Sequence, residues 1–232
     1  MHHNNVLRSM SSIETDTHTK GTPMQYRTWQ HDCSSGLAPL QRSILGEEAR
    51  TRLIRDWQPE VIIGLLRTEP YARAILRACI DVLGIPSDLE TVVATRMQRQ
   101  QILTQDGHEF RFLIGEWVLY RTVDTHDVMT EQLEHLVNAA DNPRLSLGIV
   151  PMDARFLAPT TGFLIHDDTK ASTEAVGGEI IVTEPEGIAL HAKTFDILTR
   201  QAVFGNAARQ LIEAAAETHR SGHRPRRIET KP

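Results

Sequence analysis

The chain has 232 residues, of which 40% are hydrophobic and 24% are charged, and its net charge is -5. This composition is typical of a globular protein with one sizeable core, and it lacks the positive charge that drives binding to phosphate backbones. Two cysteines without metal-ligand spacing exclude a disulfide scaffold, and the apolar runs are far shorter than the roughly 20 residues of a transmembrane helix. We therefore expect a cytoplasmic protein that has no cofactor, no metal ion, no membrane association and no direct contact with nucleic acid.

Both ends of the chain differ in composition from the middle. Residues 1–26 are polar, rich in Ser, Thr and His, and short of aliphatic side chains, so they are predicted to form a disordered arm. Residues 219–232 are rich in Arg, His and Pro, and are predicted to form a loose basic tail. The folded domain is expected to span residues 27–218.

Helices are predicted in the first half of the folded part. Apolar residues recur at helical spacing through residues 40–57. A second helix is predicted to begin with Thr68 as its N-cap and Pro70 in its first turn, and to stop at Gly84. The apolar face of this second helix is predicted to consist of Tyr71, Ala74, Ile75, Ala78, Cys79 and Val82.

A third helix is predicted to follow at once. Ser87 and Glu90 form a capping-box pattern, and the helical spacing continues to Leu103. Arg96 and Arg99 share one face of this helix, so they could present two planar guanidinium groups to a carboxylate or a phosphate. The alternative interpretation is that these arginines form ion pairs.

Strands and helices alternate in the second half of the chain. Strands are predicted at residues 109–114, 145–151, 162–166 and 179–184. An apolar stripe at residues 128–137 predicts a helix between the first two strands, and residues 196–216 are expected to form one helix, or two broken near Gly205. This order predicts an α+β or α/β fold, in which N-terminal helices pack on a small mixed sheet with interleaved helices.

Seven short motifs follow one another in an order found in one bacterial family. They are Gly64-Leu65-Leu66-Arg67-Thr68 with Tyr71-Ala72-Arg73-Ala74, Arg96-x-x-Arg99-Gln100-x-x-Leu103, Glu116-Trp117-Val118-Leu119-Tyr120-Arg121, Val128-Met129-x-x-Gln132-Leu133, Leu147-Gly148-Ile149-Val150-Pro151, Gly162-Phe163, and Ile181-Val182-Thr183-Glu184. Over residues 44–211 the chain resembles the DUF5753 domain. Two positions differ from the family pattern: Ile63 replaces a common proline, and Arg67 replaces a common glutamine.

The resemblance implies a function. DUF5753 domains usually follow a helix-turn-helix domain in XRE-type regulators of actinobacteria, the Scr1-like and antitoxin-like proteins, and too little chain precedes the motifs here to hold that domain. We therefore expect a stand-alone effector domain that binds a small molecule or a small partner protein, with a possible homodimer. The candidate ligand-binding residues are Tyr71, Arg67, Arg96, Arg99 and Glu184.

A second hypothesis is an enzyme of specialised metabolism that cyclises or dehydrates a bulky substrate by acid/base chemistry. Glu116 or His166 would transfer the proton, and Arg96 or Arg99 would stabilise an oxyanion. The structural alternative is that Glu116 and Glu184, each at or near the end of a predicted strand, form ion pairs with these arginines.

Overall fold

The computed structural model describes residues 24–157 and 161–222, and they form one mixed sheet with helices on both of its faces. The strands are β1 (Gln25–Thr28), β2 (Leu53–Gln58), β3 (Glu109–Gly115), β4 (Leu145–Val150), β5 (Phe163–His166), β6 (Lys170–Ala175) and β7 (Gly178–Val182). The helices are α1 (Trp29–Asp32), α2 (Ala38–Glu48), α3 (Glu69–Leu83), α4 (Leu89–Arg99), α5 (Glu116–Tyr120), α6 (His126–Ala139), α7 (Pro185–Gln201) and α8 (Gly205–Ser221). Two 3₁₀ turns, Gly64–Leu66 and Gln100–Thr104, precede α3 and follow α4.

The seven strands lie in the order β1-β7-β6-β5-β2-β3-β4. Strand β2 pairs in parallel with β3, which pairs in parallel with β4, and the connections between these strands carry helices, as parallel pairing requires. On its other side β2 pairs antiparallel with β5, and β6, β7 and β1 continue antiparallel. Helices and a mixed sheet confirm the predicted α+β fold.

The two faces of the sheet pack against different helices, because side chains alternate along each strand. The front face carries Ile54 of β2 and Phe112 of β3, which pack in one apolar cluster with α6 and α8. The back face carries Trp57 of β2 and Ile165 of β5, which pack against the inner side of α7. Asp56 therefore lies on the front face, two residues after Ile54.

The predicted helix at residues 40–57 is confirmed only as far as Glu48, and its second half is wrong. Helix α2 ends at Glu48, and Leu53–Gln58 forms the central strand β2. Leu53 and Ile54 fall at helical spacing from the apolar residues of α2, but β2 gains hydrogen-bonded neighbours on both sides, and this pairing prevails over the local pattern.

Details of the other predicted helices also change. The buried residues of α3 are Tyr71, Ala72, Leu76 and Ile80, so its buried face is rotated from the predicted one, and Val82 is 80% exposed. Helix α4 begins without a capping box, and Asp88 instead accepts hydrogen bonds from the backbone N–H groups of Leu37 and Ala38, at 3.1 and 2.7 Å, at the start of α2.

The sequence pattern does not predict β1, β6 or the first half of α7. Strand β1 begins at Gln25, inside the predicted arm, and α8 continues to Ser221, inside the predicted tail. The remainder of the arm and of the tail, residues 1–23 and 223–232, lies outside the described residues. Among the described residues, no helix is both long enough and apolar enough to span a membrane.

Candidate functional site

Helices α2, α3 and α4 pack on one another through an apolar cluster in which, among the described residues, no strand residue takes part. Tyr71 and Ile75 of α3 also pack in the apolar cluster of the front face. Beside them, a set of polar side chains joins these helices to the front face of the sheet. We call this set the polar layer. Its members are Gln41, Glu47, Glu48, Thr51, Arg67, Arg96 and Arg99 on the helical side and Asp56, His166, Lys170 and Glu174 on the side of the sheet.

One end of the polar layer is closed by ion pairs. Arg99 donates from Nε to Glu48 at 2.8 Å and from a terminal nitrogen to the same carboxylate at 2.5 Å. Its other terminal nitrogen donates to Oε1 of Gln41, also at 2.5 Å. Lys170 pairs with Glu47 at 2.7 Å. These contacts attach α4 to α2 and α2 to the sheet.

The partners expected for the arginines were wrong. Arg99 pairs with Glu48, and neither it nor Arg96 forms an ion pair with Glu116 or Glu184 in the described part of the chain. Glu48 lies 51 residues before Arg99, and the sequence offered no sign of the pair because the end of α2 was not recognised.

The first motif forms a turn at residues 62–68 whose backbone is held by side chains of the same motif and of two others. The hydroxyl oxygen of Tyr71 accepts a hydrogen bond from the N–H of Ile62 at 3.1 Å. Arg67 donates from Nε to the carbonyl of Ile62 at 2.7 Å, and Gln100 donates to the carbonyl of Arg67 at 2.5 Å. Tyr71 and Arg67 thus stabilise the turn, whatever else they bind.

Gln132 holds the same turn from α6. Its amide nitrogen donates to the carbonyl of Leu66 at 2.7 Å, and its amide oxygen accepts from the N–H of Thr68 at 2.8 Å. The Gln132 side chain has no solvent exposure, so both backbone groups depend on it. Residues of the first, second and fourth motifs therefore act together to hold this turn.

The other end of the polar layer holds two arginines whose charges lack a carboxylate partner. Within the described residues Arg96 makes no hydrogen bond or ion pair, and its Nε is buried without a partner. Arg67 is 8% exposed, and its guanidinium makes one hydrogen bond and lies 5.8 Å from the centre of the Tyr71 ring. Burial lowers the pKa of both arginines, and the neighbouring charges of Arg99 and Arg67 lower that of Arg96 further.

Asp56 faces the same end of the layer from β2. It is 7% exposed, and burial raises its pKa to about 7, against a hydrogen bond from Gln58 and the charge of Arg67, which lower it. Glu174 of β6 and Glu48 of α2 raise it as well. Asp56 was not predicted as a site residue, because Leu53–Gln58 mixes apolar and polar side chains and was assigned to a helix rather than to a strand.

Glu116 and His166, the candidate proton-transfer residues, lie in different places. Glu116 follows β3 and accepts a hydrogen bond from the N–H of Met152 at 2.8 Å. His166 is paired in register with Ile54 near the start of β2, and its Nδ1 lies 2.9 Å from the hydroxyl of Thr51. Parallel strands of this length extend for about 20 Å. His166 lies beside the start of β2 and Glu116 follows the end of β3, so the two side chains cannot both contact one substrate atom.

Glu184 lies apart from the arginines. It is the residue before α7, where its carbonyl accepts a hydrogen bond from the N–H of Ile188 at 3.0 Å. Helix α7 packs on the back face of the sheet. Arg67, in contrast, acts on the front-face carboxylate of Asp56, and Arg96 lies against Gly64 in the turn at residues 62–68. The structure thus brings together Tyr71, Arg67 and Arg96, joins Arg99 to Glu48, and leaves Glu184 elsewhere.

A surface groove of about 500 Å³ runs along α7 and contains none of the predicted site residues. Its charged lining consists of Asp168, Asp196, Lys193 and Arg200, so its charges balance. No three metal-ligand side chains converge within the described ranges. The end of the polar layer with Arg67, Arg96 and Asp56 is therefore the candidate site. We call it the open end, because its two arginines lack a carboxylate partner.

Comparison with solved structures gives distant likenesses. No curated protein matches the sequence. A matching solved structure is that of TrmBL2, described as an archaeal chromatin protein that shows a novel mode of DNA binding; it shares 13% identity, and the TM-score is 0.36. The match covers 79% of this chain and 53% of that one, so the present chain spans about half the length of TrmBL2.

This match contradicts the expectation that the chain makes no direct contact with nucleic acid, and we withdraw that expectation. A likeness at this TM-score does not transfer the described DNA binding to the present chain. The sequence model of a family described as a domain of unknown function, DUF5753, matches residues 41–214. The matched range includes the turn at residues 62–68 and the three arginines of the polar layer, Arg67, Arg96 and Arg99. The chain belongs to the DUF5753 family.

Proposed function

We propose that the chain is a ligand-sensing effector domain, similar to the sensing part of XRE-type regulators, and that the open end of the polar layer binds its small-molecule ligand. The observation that carries this proposal is Arg96, whose Nε is buried without a partner beside a second arginine. A buried charge that lacks a partner costs several kcal/mol, so such groups are normally paired or bind something.

The position of the site suits a sensor. Arg67 and Arg96 belong to the helical side of the polar layer, and Asp56 and Glu174 belong to the sheet. A ligand that contacts both sides would stabilise one arrangement of α3 and α4 relative to β2. Differential binding of this kind is what allows a ligand to shift a protein between two states.

Arg67 strengthens the proposal. Related domains commonly carry a neutral glutamine at this position, and the arginine adds a second cation to a site that already contains Arg96. Like charges at close range destabilise each other unless an anion lies between them. The substitution is therefore expected to change which ligand the domain accepts.

Native mass spectrometry of the protein purified from an actinobacterial host tests the proposal. We expect a retained small molecule on the wild-type protein and on Arg73→Met, which removes an exposed arginine of α3 that pairs with Glu69 and Glu90. We expect the Arg96→Met protein to retain no such molecule. An empty wild-type protein, equal retention by Arg96→Met, or a bound small protein in place of a metabolite would contradict the proposal.

We do not propose catalysis. Glu116 and His166 lie at different ends of the sheet, and neither hydrogen-bonds to Arg96 or Arg99 within the described residues. No observation comparable to the unpartnered Arg96 supports a proton-transfer site at either residue.

A further inference from the structure

We infer that the ligand of this site is a small oxyanion, a carboxylate or a phosphate, which lies between Arg67 and Arg96 and is taken up together with one proton on Asp56. This inference rests on the proposed function and adds the ligand's chemical class and its dependence on pH.

The balance of charge at the open end is positive. Glu48 neutralises Arg99 through two hydrogen bonds. Arg67 and Arg96 have no such partner. The exposed Glu174 of β6 acts on both arginines, Asp56 also acts on Arg67, and Glu48, which is already paired with Arg99, also acts on Arg96. With Asp56 protonated, the two guanidinium groups outnumber the one carboxylate, Glu174, that acts on both of them. An anion compensates this excess of positive charge, and a neutral or cationic ligand does not.

The chemistry of the side chains also favours an oxyanion. A guanidinium group is planar and presents its N–H donors as a fork that matches the oxygens of carboxylates and phosphates. The guanidinium of Arg96 lies directly against Gly64, where a Cβ atom would collide with its terminal nitrogen. The hydroxyl of Thr68, next in the chain to Arg67, is buried without a hydrogen-bond partner. It offers a further donor near the same turn.

Proton uptake follows from the groups around Asp56. The charged groups that face it are Arg67 after the 3₁₀ turn, Glu174 on β6 and Glu48 at the end of α2, and Gln58 donates to it at 2.8 Å. An ionised Asp56 competes with the ligand for Arg67 and repels an anion. The protonated carboxyl group removes both effects and can donate a hydrogen bond to the ligand.

The experiment is calorimetric titration of the full chain with sulfate and with oxalate, whose charges do not change between pH 6 and pH 8. We expect both anions to bind the wild-type protein, with affinity about tenfold weaker at pH 8 than at pH 6, because the protonated fraction of Asp56 falls. Titration at pH 8 in two buffers of different ionisation enthalpy should show uptake of nearly one proton. Asp56→Asn should bind with equal affinity at both pH values.

The variants make the result specific. Arg96→Met and Arg67→Gln should each weaken binding at least tenfold, and the control Arg73→Met should bind as the wild type does. Equal binding by Arg96→Met, or binding without proton uptake, would overturn the inference. If native mass spectrometry finds a neutral or cationic metabolite on the wild type while sulfate and oxalate fail to bind, the proposed function stands and this inference fails. If neither experiment detects a ligand, both fail.

Discussion

Arg99 of α4 and Glu48 of α2 form a buried ion pair in which both side chains are 5% exposed. Two hydrogen bonds join them, and Gln41 accepts a third from the same guanidinium. Since the donors and acceptors match one another, neither charge is left uncompensated at this end of the polar layer. The pair attaches α4 to α2, and the apolar cluster between α2, α3 and α4 also holds these two helices together.

Breaking this pair on one side should destabilise the protein. Arg99→Met leaves Glu48 buried without a counter-charge, and we expect it to lower the free energy of unfolding by about 3–5 kcal/mol. Urea denaturation monitored by circular dichroism measures the change. The control is Arg73→Met, whose partners Glu69 and Glu90 are exposed, and which should lower the free energy of unfolding far less, because an ion pair in contact with water contributes little. Equal losses for the two variants would contradict this account of the pair.

Gln132→Leu should also be strongly destabilising. The leucine fills similar space, but the carbonyl of Leu66 and the N–H of Thr68 lose their hydrogen bonds in a position shielded from water. An unsatisfied buried group costs about 1–3 kcal/mol, so the two together should cost about 2–6 kcal/mol. Gln98→Leu, at an exposed position of α4, is the matched control. A loss below about 1 kcal/mol for Gln132→Leu would show that the turn does not need these bonds.

Asp56→Asn should stabilise the protein at high pH. The pKa of Asp56 is raised from 3.8 to about 7, so the folded state holds a proton that the unfolded chain releases. Stability due to this group is therefore full below about pH 4, and it is lost as the pH rises from there to about 7. The raised pKa sets an upper limit of about 4 kcal/mol on the gain from Asp56→Asn at pH 8. Urea unfolding at pH 5 and pH 8 tests this; a larger gain at pH 5 would refute it.

The contact between His126 and His219 predicts an effect of opposite sign. Nε2 of His219 lies 2.9 Å from the carbonyl of Leu119 and donates to it, so its Nδ1 accepts from Nδ1 of His126 at 2.9 Å. Burial lowers the pKa of His219 below 6.5. The unfolded state then binds more protons than the folded state, and stability falls as the pH drops below about 6.5.

His219→Gln should reduce this loss, because glutamine can still donate to Leu119 but does not titrate. We expect a smaller fall in the free energy of unfolding between pH 7 and pH 5 than in the wild type. His135 and His166 also have lowered pKa values through burial, so part of the fall should remain. His31→Gln, at an exposed position, is the control. An unchanged pH dependence in His219→Gln would show that His219 does not contribute.

Strands β3 and β4 and the family were predictable because their signals are local. Residues 109–114 and 145–151 are short apolar runs bounded by turn residues, and they correspond to β3 and β4. Strand β6, with the sequence Lys-Ala-Ser-Thr-Glu-Ala, has little apolar character and is stabilised by pairing with β5 and β7. No pattern within the segment itself reveals such pairing.

The candidate site was only partly predictable for the same reason. The arginines could be found because they share a helix face, but their partners depend on contacts between distant segments. Glu48 was obscured by the misassigned end of α2, and Asp56 by the misassigned strand. A spacing pattern therefore identified Arg96 and Arg99 as a pair, although the structure gives them different environments.

This difference can be tested directly by comparing the free energies of unfolding of Arg96→Met and Arg99→Met at pH 7 in a buffer without polyvalent anions. We predict that Arg99→Met loses about 3–5 kcal/mol, whereas Arg96→Met is as stable as the wild type or more stable, because it removes a partly buried charge that has no partner. That result would mean that Arg96 is retained for a ligand. A loss for Arg96→Met as large as that for Arg99→Met would show that Arg96 is structural, and it would contradict the proposed site.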